Sequence, residues 1–271
     1  MSGSLPRNHS HDLIPTMNLS LPAAGLDRYK SASQRARVGT ESWGASNFFC
    51  PACKSPSLDV APRNTVAVDY FCPICKSPFQ LKSQSKPLGA KIVDAAYSEM
   101  KRAILEDRTP NLFVLHYDLG TWAVRTVLLV PHFAFALSAV ERRKPLAPTA
   151  RRAGWVGCNI LLEKIPAHAR IPVVSEGSPH APREVRDSFD RLRPLEKFQV
   201  EKRGWTLDVL QAVQSLGKLE FTLADVYAHT DALAKRRPNN AHVRDKIRQQ
   251  LQILRDLGLL KFLGDGSYRL T

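Results

Sequence analysis

Two closely spaced cysteine pairs constrain this chain more than any other feature of its sequence. Cys50 and Cys53 form one C-x-x-C motif, and Cys72 and Cys75 form a second. This arrangement is typical of a four-thiolate zinc site. Because four thiolates leave no open position for water, we predict a structural Zn²⁺ rather than a catalytic one. A thioredoxin-like redox pair is disfavoured, since there are two pairs and each has proline at its second position; four unrelated buried thiols are the other alternative.

The composition suits a folded protein that binds a polyanion. The 271 residues are 44% hydrophobic, enough for one large domain and a small one, and the net charge is +14. Nucleic acid is the first candidate partner, and a merely soluble basic protein is the alternative. We assign the fifth cysteine, Cys158, to the core. The metal-type cysteine pairs, with neither a membrane-length apolar run nor a secretory signal, predict a cytoplasmic protein with no membrane partner.

Composition and hydrophobic pattern divide the chain into three parts. Residues 1–26 mix Ser, Pro, His and Gly without a period, and we predict a flexible N-terminal extension. Residues 27–198 have the pattern of an α/β domain, into which the cysteine motifs are inserted as a zinc knuckle. Within that domain we predict helices at 27–43 and 90–105, strands at 112–115 and 124–130, and two more strands within 160–174. The segment 175–194 is rich in Ser, Pro and charge, and we take its end as the domain junction.

Residues 199–271 have the pattern of a winged-helix domain. Thr206, Thr222 and either Asn239 or Asn240 are predicted N-caps of three successive helices. The third helix has an apolar face at helical spacing, and the glycines at 264 and 266 then mark a β-hairpin. A winged helix binds DNA or docks other proteins, and the basic composition favours DNA.

The segment after the second cysteine pair carries a candidate catalytic site. Residues two apart in a strand share a face, so Gln80 and Lys82 project together, and Asp69 on the preceding strand can lie opposite them. Phosphodiester hydrolysis needs a divalent ion, an activated water and a cation for the developing charge. We therefore predict Mg²⁺ bound by Asp69, Gln80 and the Leu81 carbonyl, with Lys82 as the cation. The alternative is an ordinary edge strand, and Glu41 is a weaker candidate for a second carboxylate.

Several stretches of the sequence resemble the DpnI family of methyl-directed restriction endonucleases. They are Tyr29-Lys30 with Ser33-Gln34, the two cysteine motifs with Leu81–Ser83, Arg143–Trp155 continuing through Gly157–Ile160, and Lys246–Asp256. The resemblance runs from Met17, an alternative start, to the end of the chain. It implies a bacterial enzyme with a PD-(D/E)XK nuclease domain, a zinc knuckle and a C-terminal winged helix. Such enzymes cut double-stranded DNA at GATC when the adenine is methylated.

The resemblance also assigns roles to individual residues. Asp69, Gln80 and Lys82 fall on the family's metal-binding and catalytic positions, with Gln80 in place of the family's glutamate. A neutral amide should bind Mg²⁺ more weakly and leave more of the coordination to the Leu81 carbonyl. Trp155 falls on an aromatic residue that the family places beside the methyl groups.

The remaining predicted contacts to DNA lie on two basic segments. Arg151 and Arg152, beside Trp155, suit phosphates or guanine edges, although a core tryptophan and a solvated turn are the alternatives. On the recognition helix and its start, the predicted DNA-binding residues are Asn240, His242, Arg244, Arg248 and Gln249. Arginine reads guanine and glutamine reads adenine in the major groove.

Three functions are compatible with these patterns. The first is a Mg²⁺-dependent endonuclease specific for methylated adenine, acting as a monomer in solution. The second is a methyladenine reader that cuts weakly or not at all because of Gln80. The third is a zinc-ribbon transcription factor, which the catalytic hairpin argues against.

Overall fold

The computed structural model describes residues 17–271, so residues 1–16 of the predicted extension lie outside the described part of the chain. The helices are α1 (Ala32–Asn47), α2 (Tyr97–Leu105), α3 (Pro182–Leu192), α4 (Val200–Ser215), α5 (Leu223–Tyr227), α6 (Thr230–Arg236) and α7 (Val243–Asp256). The strands are β1 (Asp59–Val60), β2 (Tyr70–Phe71), β3 (Pro78–Gln84), β4 (Lys91–Ala96), β5 (Asn111–Asp118), β6 (Ala123–Val130), β7 (Val140–Arg142), β8 (Gly157–Leu161), β9 (Ile171–Ser175), β10 (Ser178–Pro179), β11 (Glu220–Thr222), β12 (Leu260–Gly264) and β13 (Ser267–Leu270).

A seven-stranded mixed sheet forms the centre of the larger unit, in the order β1-β2-β3-β5-β6-β9-β10. β3 and β5 are parallel, whereas the other neighbours are antiparallel. β5 is buried along most of its length, which explains its continuous apolar sequence. Phe48, just after α1, stacks on Phe113 of β5 with ring centroids 3.9 Å apart. The two predicted central strands are therefore confirmed, and both are longer than predicted.

A second sheet, in the order β4-β8-β7, corrects the sequence prediction for residues 90–105. That segment was predicted to be one helix, but it is a strand followed by α2, which begins at Tyr97. In β4 the side chains of Ile92 and Asp94 are buried and their neighbours are exposed, which is the alternation of a strand. The prediction failed because Ile92 also has helical spacing with Ala96 and Met100. Hydrogen bonding to β8 favours the strand over the helix.

The described end of the predicted flexible extension is packed against the main sheet. Ser20 forms a β-bridge with Ala123, and the backbone N–H of Leu21 donates to the carbonyl of Trp122 at 2.9 Å. The side chains of Leu21 and Leu26 are buried. The prediction of a flexible segment up to residue 26 is therefore wrong for residues 17–26. The polar composition concealed two leucines that dock in the core.

Helices α1 and α3 differ from the sequence prediction, α1 in its bounds and α3 in its presence. α1 begins at Ala32 and not at Asp27, and it extends through Asn47. α3 lies inside the segment 175–194, for which no helix was predicted. Pro182 at its first position is compatible with a helix start, and its apolar face is buried on the larger unit. The high proline and charge content of the segment hid this amphipathic pattern.

The C-terminal part combines helices α4–α7 with a three-stranded sheet in the order β11-β13-β12. Thr222 caps α5 in a capping box with Asp225, and β12 and β13 form the predicted hairpin. Thr206, in contrast, is not a cap, because α4 already begins at Val200. Its hydroxyl group donates to the side chain of Gln250 on α7 at 2.7 Å. These elements agree with the predicted winged helix.

The two parts of the molecule contact each other through α4, most of which is buried. The buried guanidinium of Arg203 pairs with the carboxylate of Asp107 in the larger unit. The side-chain oxygen of Gln214 accepts from the backbone N–H of Ala167 at 2.6 Å. The contact therefore contains directional polar bonds as well as apolar packing. None of the helices within residues 17–271 combines the length and the hydropathy that crossing a membrane would require.

Candidate functional site

The four paired cysteines converge on one point beside the main sheet. Their sulfur atoms all lie within 4.8 Å of one another, with Cys50 Sγ 3.6 Å from Cys75 Sγ and Cys53 Sγ 3.5 Å from Cys72 Sγ. Four sulfurs at about 2.3 Å from a tetrahedral Zn²⁺ would lie about 3.8 Å apart. The donor set and its spacing therefore fit zinc, and this cluster can hold the ion as a structural knuckle.

The knuckle backbone prepares one of these sulfurs for metal binding. Burial raises the pKa of the Cys72 thiol, but backbone N–H groups of Cys75 and Ile74 outweigh it and bring the pKa down to about 6. The Cys75 N–H lies 3.4 Å from the Cys72 sulfur. Burial raises the pKa of Cys50 far above its ordinary value, so that thiol would ionise only with a metal beside it.

Helix α3 holds the first cysteine loop from the other side. The guanidinium of Arg186 donates to the carbonyls of Cys50 and Ser55, at 3.1 and 3.0 Å. Arg193 donates to the carbonyl of Ala52 at 2.5 Å. Sequence analysis missed both arginines, because nothing in the local pattern connects residues so distant along the chain.

The cysteine loop leads directly into the predicted catalytic strand. β2 ends next to Cys72 and pairs antiparallel with β3, with Tyr70 opposite Phe79. Just before β2, the backbone N–H of Asp69 donates to the carbonyl of Phe79 at 2.8 Å. The cysteine cluster therefore lies at the turn that joins β2, which follows Asp69, to β3.

Asp69 lies against the backbone of β3. Its carboxylate Oδ2 accepts a hydrogen bond from the N–H of Leu81 at 2.7 Å. The N–H and C=O groups of one strand residue point to the same side, so the Leu81 carbonyl is on the Asp69 edge as well. The Asp69 carboxylate and the Leu81 carbonyl, two of the predicted Mg²⁺ ligands, thus lie along the same edge of β3.

Gln80 and Lys82 lie on the opposite face of β3 from α1. Ser83, on the α1 side, accepts a hydrogen bond from Thr40 Oγ1 at 3.0 Å. Both Gln80 and Lys82 are half-buried. The described contacts include no direct bond from Lys82 to Asp69. Lys82 Nζ instead lies 2.5 Å from Oδ1 of Asp94 on β4.

The described hydrogen bond and ion pair of the Glu41 side chain go to α1 and not to β3. Its carboxylate accepts from Arg37 Nε at 2.7 Å in an ion pair one helical turn apart. That ion pair and the charge of Asp69 raise the pKa of Arg37. The described partner of the Glu41 carboxylate is thus a neighbouring arginine on α1.

The segment between β7 and β8 forms a basic hairpin that carries the predicted methyl-binding residue. Trp155 is half-buried, and the Arg152 guanidinium lies 4.5 Å from the centre of its ring. Arg151 is exposed. Only glycine fits at position 157, because a Cβ there would lie 2.7 Å from the indole ring. The hairpin therefore presents an aromatic ring and two arginines together.

Helix α7 has the two faces expected of a recognition helix. Its apolar side is buried against α4, while Arg244, Arg248 and Gln249 are exposed. Asn240, His242 and Gln249 border one open pocket at the start of the helix. Arg248 forms an exposed ion pair with Asp245 at 2.7 Å. A contact from Arg248 to a base would replace this pair, and an exposed ion pair contributes little stability.

Two family models match this chain and together cover nearly all of the described residues. The model described as DpnI, Dam-replacing family, matches residues 17–198. The model described as DpnI_C, Dam-replacing HTH domain, matches residues 201–270. The second match falls on helices α4–α7 and their three-stranded sheet.

Proposed function

Because this chain belongs to the DpnI family of Dam-replacing proteins, which implies a methylation-dependent restriction-type function, we propose that it is a Mg²⁺-dependent type II endonuclease. Its proposed substrate is double-stranded DNA containing GATC with a methylated adenine. The observation that carries the proposal is the hydrogen bond from the Leu81 N–H to the Asp69 carboxylate. That bond places an acidic side chain beside the strand that carries Gln80 and Lys82.

In this proposal the residues of β3 and its neighbour divide the chemistry between them. Asp69, the Leu81 carbonyl and the Gln80 amide oxygen bind the ion, and Lys82 donates to an oxygen of the scissile phosphate. Mg²⁺, when bound, would neutralise charge on the phosphate and acidify a water molecule. Lys82 stabilises the additional negative charge of the transition state, which is where a fixed cation contributes most.

The DNA is recognised, in this proposal, from two sides. Trp155 covers a methyl group in the major groove, while Arg151 and Arg152 bind phosphates or guanine edges. Asn240, His242, Arg244, Arg248 and Gln249 contact the site from α7. The helix-turn-helix domain and the net charge of +14 support a double-stranded nucleic acid as the partner.

The first experiment is a plasmid digestion. Plasmid from an adenine-methylating host should be cut in the presence of Mg²⁺, and the same plasmid from a non-methylating host should stay intact. Asp69→Ala should abolish cutting and leave the affinity for a methylated duplex within about twofold, because the binding residues lie elsewhere. Cutting of both plasmids alike would refute the methyl dependence.

Gln80 supports one second candidate, a methyladenine reader without useful nuclease activity. A neutral amide gives the ion less charge than a carboxylate would. Tight binding of methylated GATC by the wild-type protein, with no cutting across titrations of Mg²⁺ and Mn²⁺, would establish the methyladenine-reader function instead.

A further inference from the structure

Asp94 is a buried carboxylate next to the proposed catalytic lysine. Its side chain is only 4% exposed, and its Oδ1 lies 2.5 Å from Lys82 Nζ. Asp94 belongs to β4 of the second sheet, whereas Lys82 belongs to β3 of the main sheet. The ion pair is therefore a tertiary contact between two sheets.

The described ion pair of Asp94 is with Lys82. Among the described contacts, its Oδ1 has no aligned hydrogen-bond donor. Burying an ionised carboxylate without a cation costs free energy. The ion pair therefore restricts the Lys82 ammonium group to one position. The thiol opposite Asp94 in the sheet, Cys158, donates to the Ala95 carbonyl at 3.4 Å instead. Burial, followed by the charge of Asp94, raises the pKa of Cys158 to about 11.

The position of the pair matches the face on which the chemistry is proposed. Gln80 and Lys82 share one face of β3, and Ser83 on the other face contacts Thr40 of α1. Asp94 therefore approaches from the Gln80 side. It adds a negative charge on the face where Gln80 is neutral, and it fixes a side chain with four rotatable bonds that would otherwise sample many positions.

We propose that Asp94 is a positioning residue of the nuclease reaction, which holds the Lys82 ammonium group where the scissile phosphate will lie. This inference rests on the proposed function. It adds a residue that does not touch the substrate and acts through Lys82. β4 pairs with β8, which begins two residues after Trp155, so the sheet next to the basic hairpin also supports the lysine.

The kinetic test compares Asp94→Asn with the wild-type protein. The variant should cut methylated plasmid about 10–100-fold more slowly, the usual loss when a supporting side chain of a catalytic group is removed. Its affinity for a methylated duplex without divalent ion should change less than about twofold.

Glu141→Gln is the matched control and should cut at the wild-type rate. Glu141 pairs with Lys91 at 2.7 Å within the same sheet, and its side chain is 38% exposed against 4% for Asp94.

A double-mutant cycle separates positioning from general damage. Lys82→Gln alone leaves the Asp94 charge buried, so it should lower the melting temperature by about 5–15 °C. Adding Asp94→Asn should restore most of that loss, and it should reduce any residual cutting no further.

The outcomes distinguish this inference from the proposed function. A wild-type protein that cuts, with Asp94→Asn cutting equally fast or with melting losses that simply add, overturns the role of Asp94 alone. A wild-type protein that binds but never cuts overturns the nuclease function and the catalytic role of Asp94 with it. The melting cycle still decides in that case whether Asp94 holds Lys82.

Discussion

Gln80 differs from glutamate by an amide nitrogen in place of one oxygen, and that change removes a full negative charge from the proposed metal site. The surrounding geometry keeps the other groups in place, since Asp69 is bonded to the Leu81 N–H. In water a unit charge 4 Å from a divalent ion is worth about 2 kcal/mol, and salt screening lowers this value. The substitution should thus affect the affinity for Mg²⁺ before it affects the binding of DNA.

Gln80→Glu should lower the Mg²⁺ concentration for half-maximal cutting by about tenfold, which corresponds to ~1.4 kcal/mol of added attraction. The measurement is the initial rate of plasmid cutting across a Mg²⁺ titration. Gln84→Glu is the matched control, because Gln84 lies on the same strand and face but bonds to the carbonyls of Lys86 and Pro87. An equal shift for both variants would mean that the effect is one of net charge and not of coordination.

At the scale of elements, a short β-hairpin connects the cysteine cluster to the strand for which we propose the catalytic role. Cys72 directly follows β2, and β2 aligns β3 through the pairing of Tyr70 with Phe79. Arg186 on α3 fixes the Cys50 loop through its carbonyl. An ion at the cluster would therefore stabilise the turn between Asp69 and β3, and its loss should loosen both.

Cys53→Ala should reduce bound zinc and lower the melting temperature by about 10 °C or more, because a structural zinc ion contributes directly to folding free energy. Cutting should decline in parallel. Zinc is measured by elemental analysis of the purified protein and melting by calorimetry. Cys158→Ala is the control, since this buried thiol lies outside the cluster and should not change the zinc content. Equal zinc in both variants would show that the cluster is not the metal site.

At the scale of the whole molecule, two basic surfaces are held in one framework. The hairpin with Trp155 belongs to the larger unit, α7 belongs to the smaller one, and the contact between Arg203 and Asp107 joins these units. One buried methyl group is worth only ~0.8 kcal/mol, about a fourfold preference. A strong preference for methylated DNA would therefore need more than one methyl contact, spread over both surfaces.

Trp155→Ala should reduce the preference for a methylated over an unmethylated duplex about fourfold for each methyl that the indole covers. Part of the preference should persist, because α7 is unchanged. Dissociation constants for both duplexes, at one fixed salt concentration and without divalent ion, measure the ratio. Trp155→Phe should retain most of it. Equal weakening of both duplexes would indicate instead that Trp155 only supports the fold of the hairpin.

The sequence alone determined the features that depend on local spacing. The two C-x-x-C motifs located the cysteine cluster, apolar runs located β5 and β6, and residues Thr222 and 264–266 marked a cap and a hairpin. Period-two alternation placed Gln80 and Lys82 on one face of a strand. Each of these follows from the geometry of a few consecutive residues or from the chemistry of one side-chain type.

Only the tertiary structure decided what depends on pairing between distant segments. The segment 90–105 fits a helix by its spacing, and hydrogen bonds to β8 made its first part a strand. That strand brings Asp94 to Lys82, and α3 brings Arg186, and Arg193 just after its end, to the cysteine loop. The spacing of residues within one segment does not predict such contacts. Their free energy arises only when separate strands and helices pack together and exclude water.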